Sequence, residues 1–85
     1  MIVPTGPVRV MVALKPVDFR KGLDGLAGLV QETLKGDPFA GVIYVFRSKR
    51  ADKLKLIFWD GTGMVLVMKR LEGGKFRWPK VSDGV

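Results

Sequence analysis

The chain contains no cysteine and no histidine. Without cysteine there is neither a disulfide nor a thiolate metal site, a composition that fits a reducing cytosol. Without histidine it lacks the commonest metal ligand and the one side chain whose unperturbed pKa lies near neutrality, so much of hydrolase and metalloenzyme chemistry is closed to it. Serine occurs only as Ser48 and Ser82, and with no histidine base a serine triad is excluded. Gly22, Gly25 and Gly28 follow no phosphate-loop spacing and no Gly-Lys-Ser/Thr sequence occurs, which leaves nucleotide hydrolysis without support. No apolar run approaches the roughly 18 residues of a membrane span, and the N-terminus has no basic segment followed by an apolar stretch. The chain is expected to be soluble and unexported.

What is abundant is positive charge, and it is unevenly placed. The formal net charge is +7. Residues 1–46 carry five cations (Arg9, Lys15, Arg20, Lys21, Lys35) against four anions (Asp18, Asp24, Glu32, Asp37). Residues 47–80 carry ten (Arg47, Lys49, Arg50, Lys53, Lys55, Lys69, Arg70, Lys75, Arg77, Lys80) against three (Asp52, Asp60, Glu72). A balanced half beside a basic half points to a polyanion-facing side, with solubilising surface charge as the plain alternative.

The strongest strand pattern lies in the basic half. Two segments rich in aromatic, β-branched and long apolar residues flank Asp60-Gly61-Thr62-Gly63, a sequence that tolerates the positive φ of a hairpin turn. Side chains alternate along a strand, so Lys53, Lys55, Ile57 and Trp59 share one face, and Leu54, Leu56 and Phe58 the other. The second of these reads as core. The first is either an ordinary solvated face or a cationic platform carrying an aromatic ring on which bases could stack.

In chain order, Val8–Leu14 reads as a strand ended near Pro16. Asp18 stands where an N-cap belongs, and a helix is expected from there to about Lys35. Its apolar stripe is Phe19, Leu23, Leu26, Ala27, Val30 and Leu34, with Gly36 and Pro38 as stop signals. Gly22, Gly25 and Gly28 are poor helix formers, which is accounted for by close approach of the helix to the sheet or a loop. Arg20 and Lys21 at the helix start oppose the macrodipole; they form either a surface pair offset by Asp18 and Asp24 or, with free N–H groups, an anion site. Val42–Phe46 is apolar on both faces, as a central strand is. Arg47-Ser48-Lys49-Arg50 is a short basic loop, Glu72-Gly73-Gly74-Lys75 a second turn, and Phe76-Arg77-Trp78 a short strand ended by Pro79. The fold class expected is α+β: an antiparallel β-meander of about four to five strands packed against one α-helix. A carboxylate site for catalytic metals is disfavoured, because Asp18 reads as a cap, Asp60 as a turn residue and Glu72 as the shoulder of a turn.

Taken together, Asp18-Phe19-Arg20-Lys21-Gly22-Leu23-Asp24-Gly25-Leu26, Asp37-Pro38-Phe39-Ala40-Gly41, Val45-Phe46-Arg47, Leu54-Lys55, Trp59-Asp60-Gly61-Thr62-Gly63, Lys69-Arg70-Leu71-Glu72 and Phe76-Arg77-Trp78-Pro79 resemble one family in order along nearly the whole chain. This is the small accessory protein, called TnpB or the second-frame protein, of bacterial insertion sequences of the IS-sixty-six class. The resemblance implies a cytoplasmic bacterial protein of a mobile element that assists transposition, a form of DNA recombination, while a larger protein of the element carries the acidic catalytic residues. It brings no active-site or cofactor residues with it. Members of the family usually continue past the Trp-Pro segment with a stretch that looks helical. The expectation here is a single domain over residues 1–85 with that extension absent.

The functional expectation is a non-catalytic accessory factor that binds nucleic acid, DNA in the first place, through residues 47–80. The candidate contacts are Arg47, Lys49, Arg50, Lys53, Lys55, Trp59, Lys69, Arg70 and Arg77, with Arg20 and Lys21 as a second group. The alternative is an adapter that binds an acidic surface of the transposase, and a nuclease is a third and weaker reading. No cofactor and no membrane are expected; the partners are nucleic acid, transposase subunits of the same element and a second copy of the chain.

Overall fold

A computed structural model describes residues 9–32, 36–37 and 41–79. The order of elements is β1 (Val10–Val12), α1 (Leu23–Glu32), β2 (Ile43–Arg47), β3 (Lys53–Trp59) and β4 (Met64–Arg70). They form one four-stranded sheet in the order β1-β2-β3-β4 with the helix packed against it, an α+β arrangement. Strands β2, β3 and β4 are the expected antiparallel meander. β1 departs from it and runs parallel to β2, Val10 opposite Ile43 and Val12 opposite Val45. Parallel neighbours cannot be joined by a tight turn. The helix lies in the connection between them, which is why the chain can leave β1, cross one face and re-enter beside it in the same direction. Among the described residues no helix is long and apolar enough to cross a membrane.

The β3–β4 hairpin is closed by the residues that announced it. Asp60 N donates to Gly63 O, and the Asp60 carboxylate accepts from the Thr62 N–H, the Thr62 hydroxyl and the Gly63 N–H. Those hydrogen bonds, Thr62's first, hold the Asp60 carboxyl below the usual carboxylate range. Gly61 supplies the positive φ, at 100°, that a residue with a Cβ adopts only at a cost.

The core lies between α1 and one face of the sheet. Ala13, Leu26, Val30, Val42, Tyr44, Phe46 and Ile57 form it, with Val17, Leu23, Ala27, Leu29 and Met64 packed around them. Tyr44 opposes Ile57 and Phe46 opposes Lys55, so the helix covers the face of β3 that carries Lys53, Lys55, Ile57 and Trp59. This reverses the assignment from the sequence. Leu54, Leu56 and Phe58 point to the other face, which they share with Val10, Val12, Ile43, Val45, Val65 and Val67. Phe58 is buried there, while Leu54 and Leu56 on the same face of β3 are only half-buried.

Three further expectations are corrected. Asp18 does not cap α1. It closes a separate turn, its carboxylate accepting the Arg20 N–H and its carbonyl the Lys21 N–H, and the helix begins at Leu23, with Gly22 O accepting from Leu26 N. Residues 76–78 form no strand and pair with none among the described residues. Phe76 N instead donates to Ala51 O, and the Trp78 indole N–H to Ala13 O at 2.7 Å, tying the segment across one end of the sheet. Finally, the helix glycines do not approach the sheet. A Cβ at Gly22 or Gly28 would meet nothing within 4 Å, and one at Gly25 would meet only the Lys21 side chain. The close approach is at Gly36, where a Cβ would collide with the buried Tyr44 hydroxyl and lie 3.1 Å from Val30 Cγ1. Gly36 also donates its N–H to Val30 O at 2.9 Å, the bond of a helix C-cap. Leu34, Lys35 and Pro38, named above in the helix and its exit, lie outside the described residues, as does Val8 of the first strand.

Open space at Gly28 gives a direct expectation. Gly28→Ala removes backbone freedom from the unfolded chain without meeting a neighbour, and raises unfolding free energy by about 0.5–1 kcal/mol. A thermal melt checks it; a lower midpoint would mean that the helix does need a bare backbone there.

Candidate nucleic-acid interface

The end of the sheet opposite the Asp60–Gly63 turn gathers the cations, and it does so through the strand register. β2 runs out at Arg47, β3 starts at Lys53, and β4 ends with Lys69 opposite Leu54 and Arg70 opposite Lys53. The loop between β2 and β3 is framed by its own polar side chains. The Ser48 hydroxyl donates to Asp52 Oδ1 at 3.0 Å and accepts from Lys53 N at 3.2 Å, Ser48 N donates to Lys53 O, and Ala51 N donates to Ser48 O. Lys49 and Arg50 are left exposed at its tip. Ala51 takes a left-handed backbone, φ 58°, at a cost of about 1–2 kcal/mol for a residue with a Cβ. The Ala51 and Asp52 carbonyls then accept from Phe76 N at 2.7 Å and Leu71 N at 2.8 Å. That hooks the segment bearing the exposed Lys75 and Arg77 onto the same loop.

Arg47 braces the loop from inside. Its Nη1 donates to the Ser48 and Lys49 carbonyls at 3.3 Å each, and its Nε is buried with no hydrogen-bond partner among the described residues. Arg70 pairs with Glu72 at 2.9 Å, both side chains exposed, a contact worth about 0–1 kcal/mol that salt and competing anions loosen.

Arg20 and Lys21 reach this end by a different route. Val17 N donates to Arg47 O at 3.1 Å, which brings the chain beyond β1 alongside the exit of β2. Lys55 completes the attachment. Its ammonium donates to Phe19 O at 2.8 Å and Lys21 O at 3.0 Å and sits 4.7 Å from the centroid of the Phe19 ring. Although cationic, Lys55 is 8% exposed, and it is bearable there because two carbonyl dipoles and a π face replace its water. Arg20 forks onto Asp18, Nε to Oδ1 at 3.0 Å and Nη2 to Oδ2 at 2.8 Å. These hydrogen bonds, more than charge proximity, hold the Asp18 carboxyl well below the usual carboxylate range. The Asp18 carboxylate thereby already occupies the Arg20 backbone N–H that an external anion would need.

Of the residues expected to meet nucleic acid, the structure brings Arg47, Lys49, Arg50, Lys53, Lys69, Arg70, Arg77, Arg20 and Lys21 to one end of the sheet. Two are not available there. Lys55 is buried beneath the turn preceding the helix and spends its ammonium on protein carbonyls. Trp59 is half-buried beside the far turn, opposite Met64; at about 3.3 Å per residue it lies roughly 20 Å along β3 from Lys53. Sequence reasoning missed the frame of the loop, Ser48 and Asp52, although a serine four residues before an aspartate across a turn is a readable signal of side-chain closure. It also left Lys75 out of the contact set. Among the described residues no group of three or more carboxylates could hold a metal ion.

Comparison with known proteins adds context to this geometry. The family model described as "IS66 Orf2 like protein" matches residues 8–85. Uncharacterized protein y4jC of Sinorhizobium fredii is 55% identical over 84 residues, covering 99% of this chain and 72% of that protein. Uncharacterized protein y4hO of the same organism is 43% identical over 84 residues, covering 98% of this chain and 73% of its own length. No solved structure matches the chain.

Proposed function

The chain belongs to the IS66 Orf2-like family, and from that membership we propose that it is a non-catalytic accessory factor of transposition that binds DNA through the basic end of its sheet. The accessory role in transposition comes with the family. The nucleic-acid contact is supported by one observation above the others: register, loop closure and the hooked segment converge Lys49, Arg50, Lys53, Lys69, Arg70, Lys75 and Arg77 from four separate stretches of chain. A duplex presents one phosphate charge per about 1.7 Å of axis, and this cluster, exposed except for the half-buried Lys53, can neutralise several at once. The non-catalytic reading is supported by the carboxylates: Asp18, Asp52, Asp60 and Glu72 are each engaged in a local contact, and among the described residues no three acidic groups lie together as a metal site would need. The family context makes a transposase subunit of the same element the protein partner, and a cytoplasmic setting follows from the same role.

Salt dependence tests the reading. About four to six phosphate contacts give a log–log slope of about −4 to −5 on random-sequence duplex DNA, so affinity falls by roughly two to three decades from 50 to 200 mM salt. The variant Lys49→Gln/Arg50→Gln removes two charges at the loop tip and lowers the slope by up to about two units, weakening all sequences alike. Arg9→Glu changes the net charge by the same amount at the opposite end of the sheet, where Arg9 O accepts from Ile43 N, and leaves the slope unchanged. Equal losses in both variants would reduce the effect to net charge and remove the proposed face. Negligible DNA affinity in the parent, with retention on an acidic transposase surface, would replace it by the adapter.

A further inference from the structure

The two edges of the sheet are guarded differently. β1 is three residues long, and shortness itself protects an edge. β4 is seven residues long, keeps an unbroken register with β3 from Met64 to Arg70, and has a strand partner on one side only among the described residues. Natural edges are blunted by lysine, proline or a bulge; β4 carries its one lysine, Lys69, only at its end, and Met64-Val65-Leu66-Val67-Met68 has none of the three. Leu66 and Met68 lie on the side of the sheet that carries the helix, which leaves them 38% and 53% exposed.

The hydrogen-bond phase identifies which groups of β4 are open. Asp60 N donates to Gly63 O and Leu71 N to Asp52 O. With the register unbroken between them, antiparallel alternation makes Val65, Val67 and Lys69 exchange bonds with β3. The N–H and C=O groups of Met64, Leu66, Met68 and Arg70 therefore point outward.

We propose that β4 pairs antiparallel with β4 of a second copy of this chain, about a two-fold axis at Val67, joining two sheets into one of eight strands. An isologous contact must be complementary to itself, and this register is. It pairs all four outward-facing residues, Leu66 with the partner copy's Met68 and Met64 with its Arg70, so each exposed apolar side chain covers another. Charge selects the same register. Each copy's Lys69 and Arg70 fall beside Val65 and Met64 of the other, and the two Arg70 residues stand six positions apart, roughly 20 Å at 3.3 Å per residue. Slipping the pairing toward the C-terminal end brings the like charges together, which is unfavourable in a directly opposed pair. On the function proposed above, antiparallel pairing sends the two basic ends to opposite sides of the joined sheet, giving the dimer two separate polyanion-facing surfaces.

Sedimentation equilibrium without nucleic acid tests the pairing independently of that function. The parent sediments as a dimer. Leu66→Glu/Met68→Glu sets carboxylates opposite each other across the axis and gives a monomer with unchanged circular dichroism. Leu66→Lys/Met68→Glu sets a lysine opposite a glutamate in this register and restores the dimer. Both variants share the change at 68, and the monomeric one has the lower net charge, so neither local effects at Met68 nor overall repulsion reproduces the pattern. A parent that stays monomeric at every concentration tested, or two variants that associate equally, overturns the proposal; a parent dimer unaffected by either variant assigns the contact to another face.

Discussion

Leu26→Ala is expected to lower unfolding free energy by about 2–5 kcal/mol, the range for truncating a fully buried leucine. Leu26 has no exposed surface and stands in the cluster with Val30, Tyr44, Phe46 and Ile57. The core around it cannot readily collapse into the vacated volume, because one wall is the sheet and the other is the helix backbone that carries position 26. Single domains hold about 5–15 kcal/mol in total, so the change consumes a large share of it. At about 4–8 °C per kcal/mol for a domain of this length, the melting midpoint falls by about 10 °C or more. Circular dichroism on heating measures it, and a midpoint within a degree or two of the parent would place the apolar stripe on the wrong face.

Replacing Lys55 produces the second large effect, on stability rather than on binding. Lys55→Met keeps most of the stem but removes the ammonium, leaving the Phe19 and Lys21 carbonyls without their donor. Charge-assisted hydrogen bonds contribute about 1.5–3 kcal/mol each, and the relief of no longer burying a charge offsets part of the loss. The net expectation is a destabilisation of about 2–4 kcal/mol, with faster amide exchange in the turn that precedes α1. A solvent-facing lysine would change stability by no more than about 0.5 kcal/mol. Measured where the variant is still folded, the salt slope of DNA binding stays at the parent value, in contrast to Lys49→Gln/Arg50→Gln. A normal melt with a reduced slope would return Lys55 to the binding face.

The contrast between these two lysines shows where local reading ends. Lys49 and Lys55 both stand in the basic half, one in a polar loop and one between two leucines of a strand, but an alternating strand pattern does not say whether the face that carries Lys55 is buried. The difference is made by Phe19 and Lys21, more than thirty residues earlier, whose carbonyls arrive above β3 only after the chain has crossed the sheet. Gly36 teaches the same lesson from the opposite direction. It reads as a helix stop, and it is one, but the buried Tyr44 hydroxyl against it belongs to a strand that the turn signal does not mention.

By itself the sequence determined the elements whose causes are local: the Asp60–Gly63 hairpin, because Asp and Gly there close the turn with their own groups; the central strand, expected over Val42–Phe46 because those residues are apolar on both faces and found at Ile43–Arg47; the existence of α1, because Leu23, Leu26 and Val30 recur at helical spacing; and the concentration of positive charge after residue 46. Only the tertiary structure decided which face of β3 the helix covers, that β1 joins β2 in parallel, that Asp18 closes a turn instead of capping the helix, and which of the cations are free to meet a partner. A period of two distinguishes the faces of a strand without saying which is buried, and a buried charge becomes tolerable only when distant backbone supplies its partners. Both depend on the path of the chain through space, which pattern along the chain does not contain.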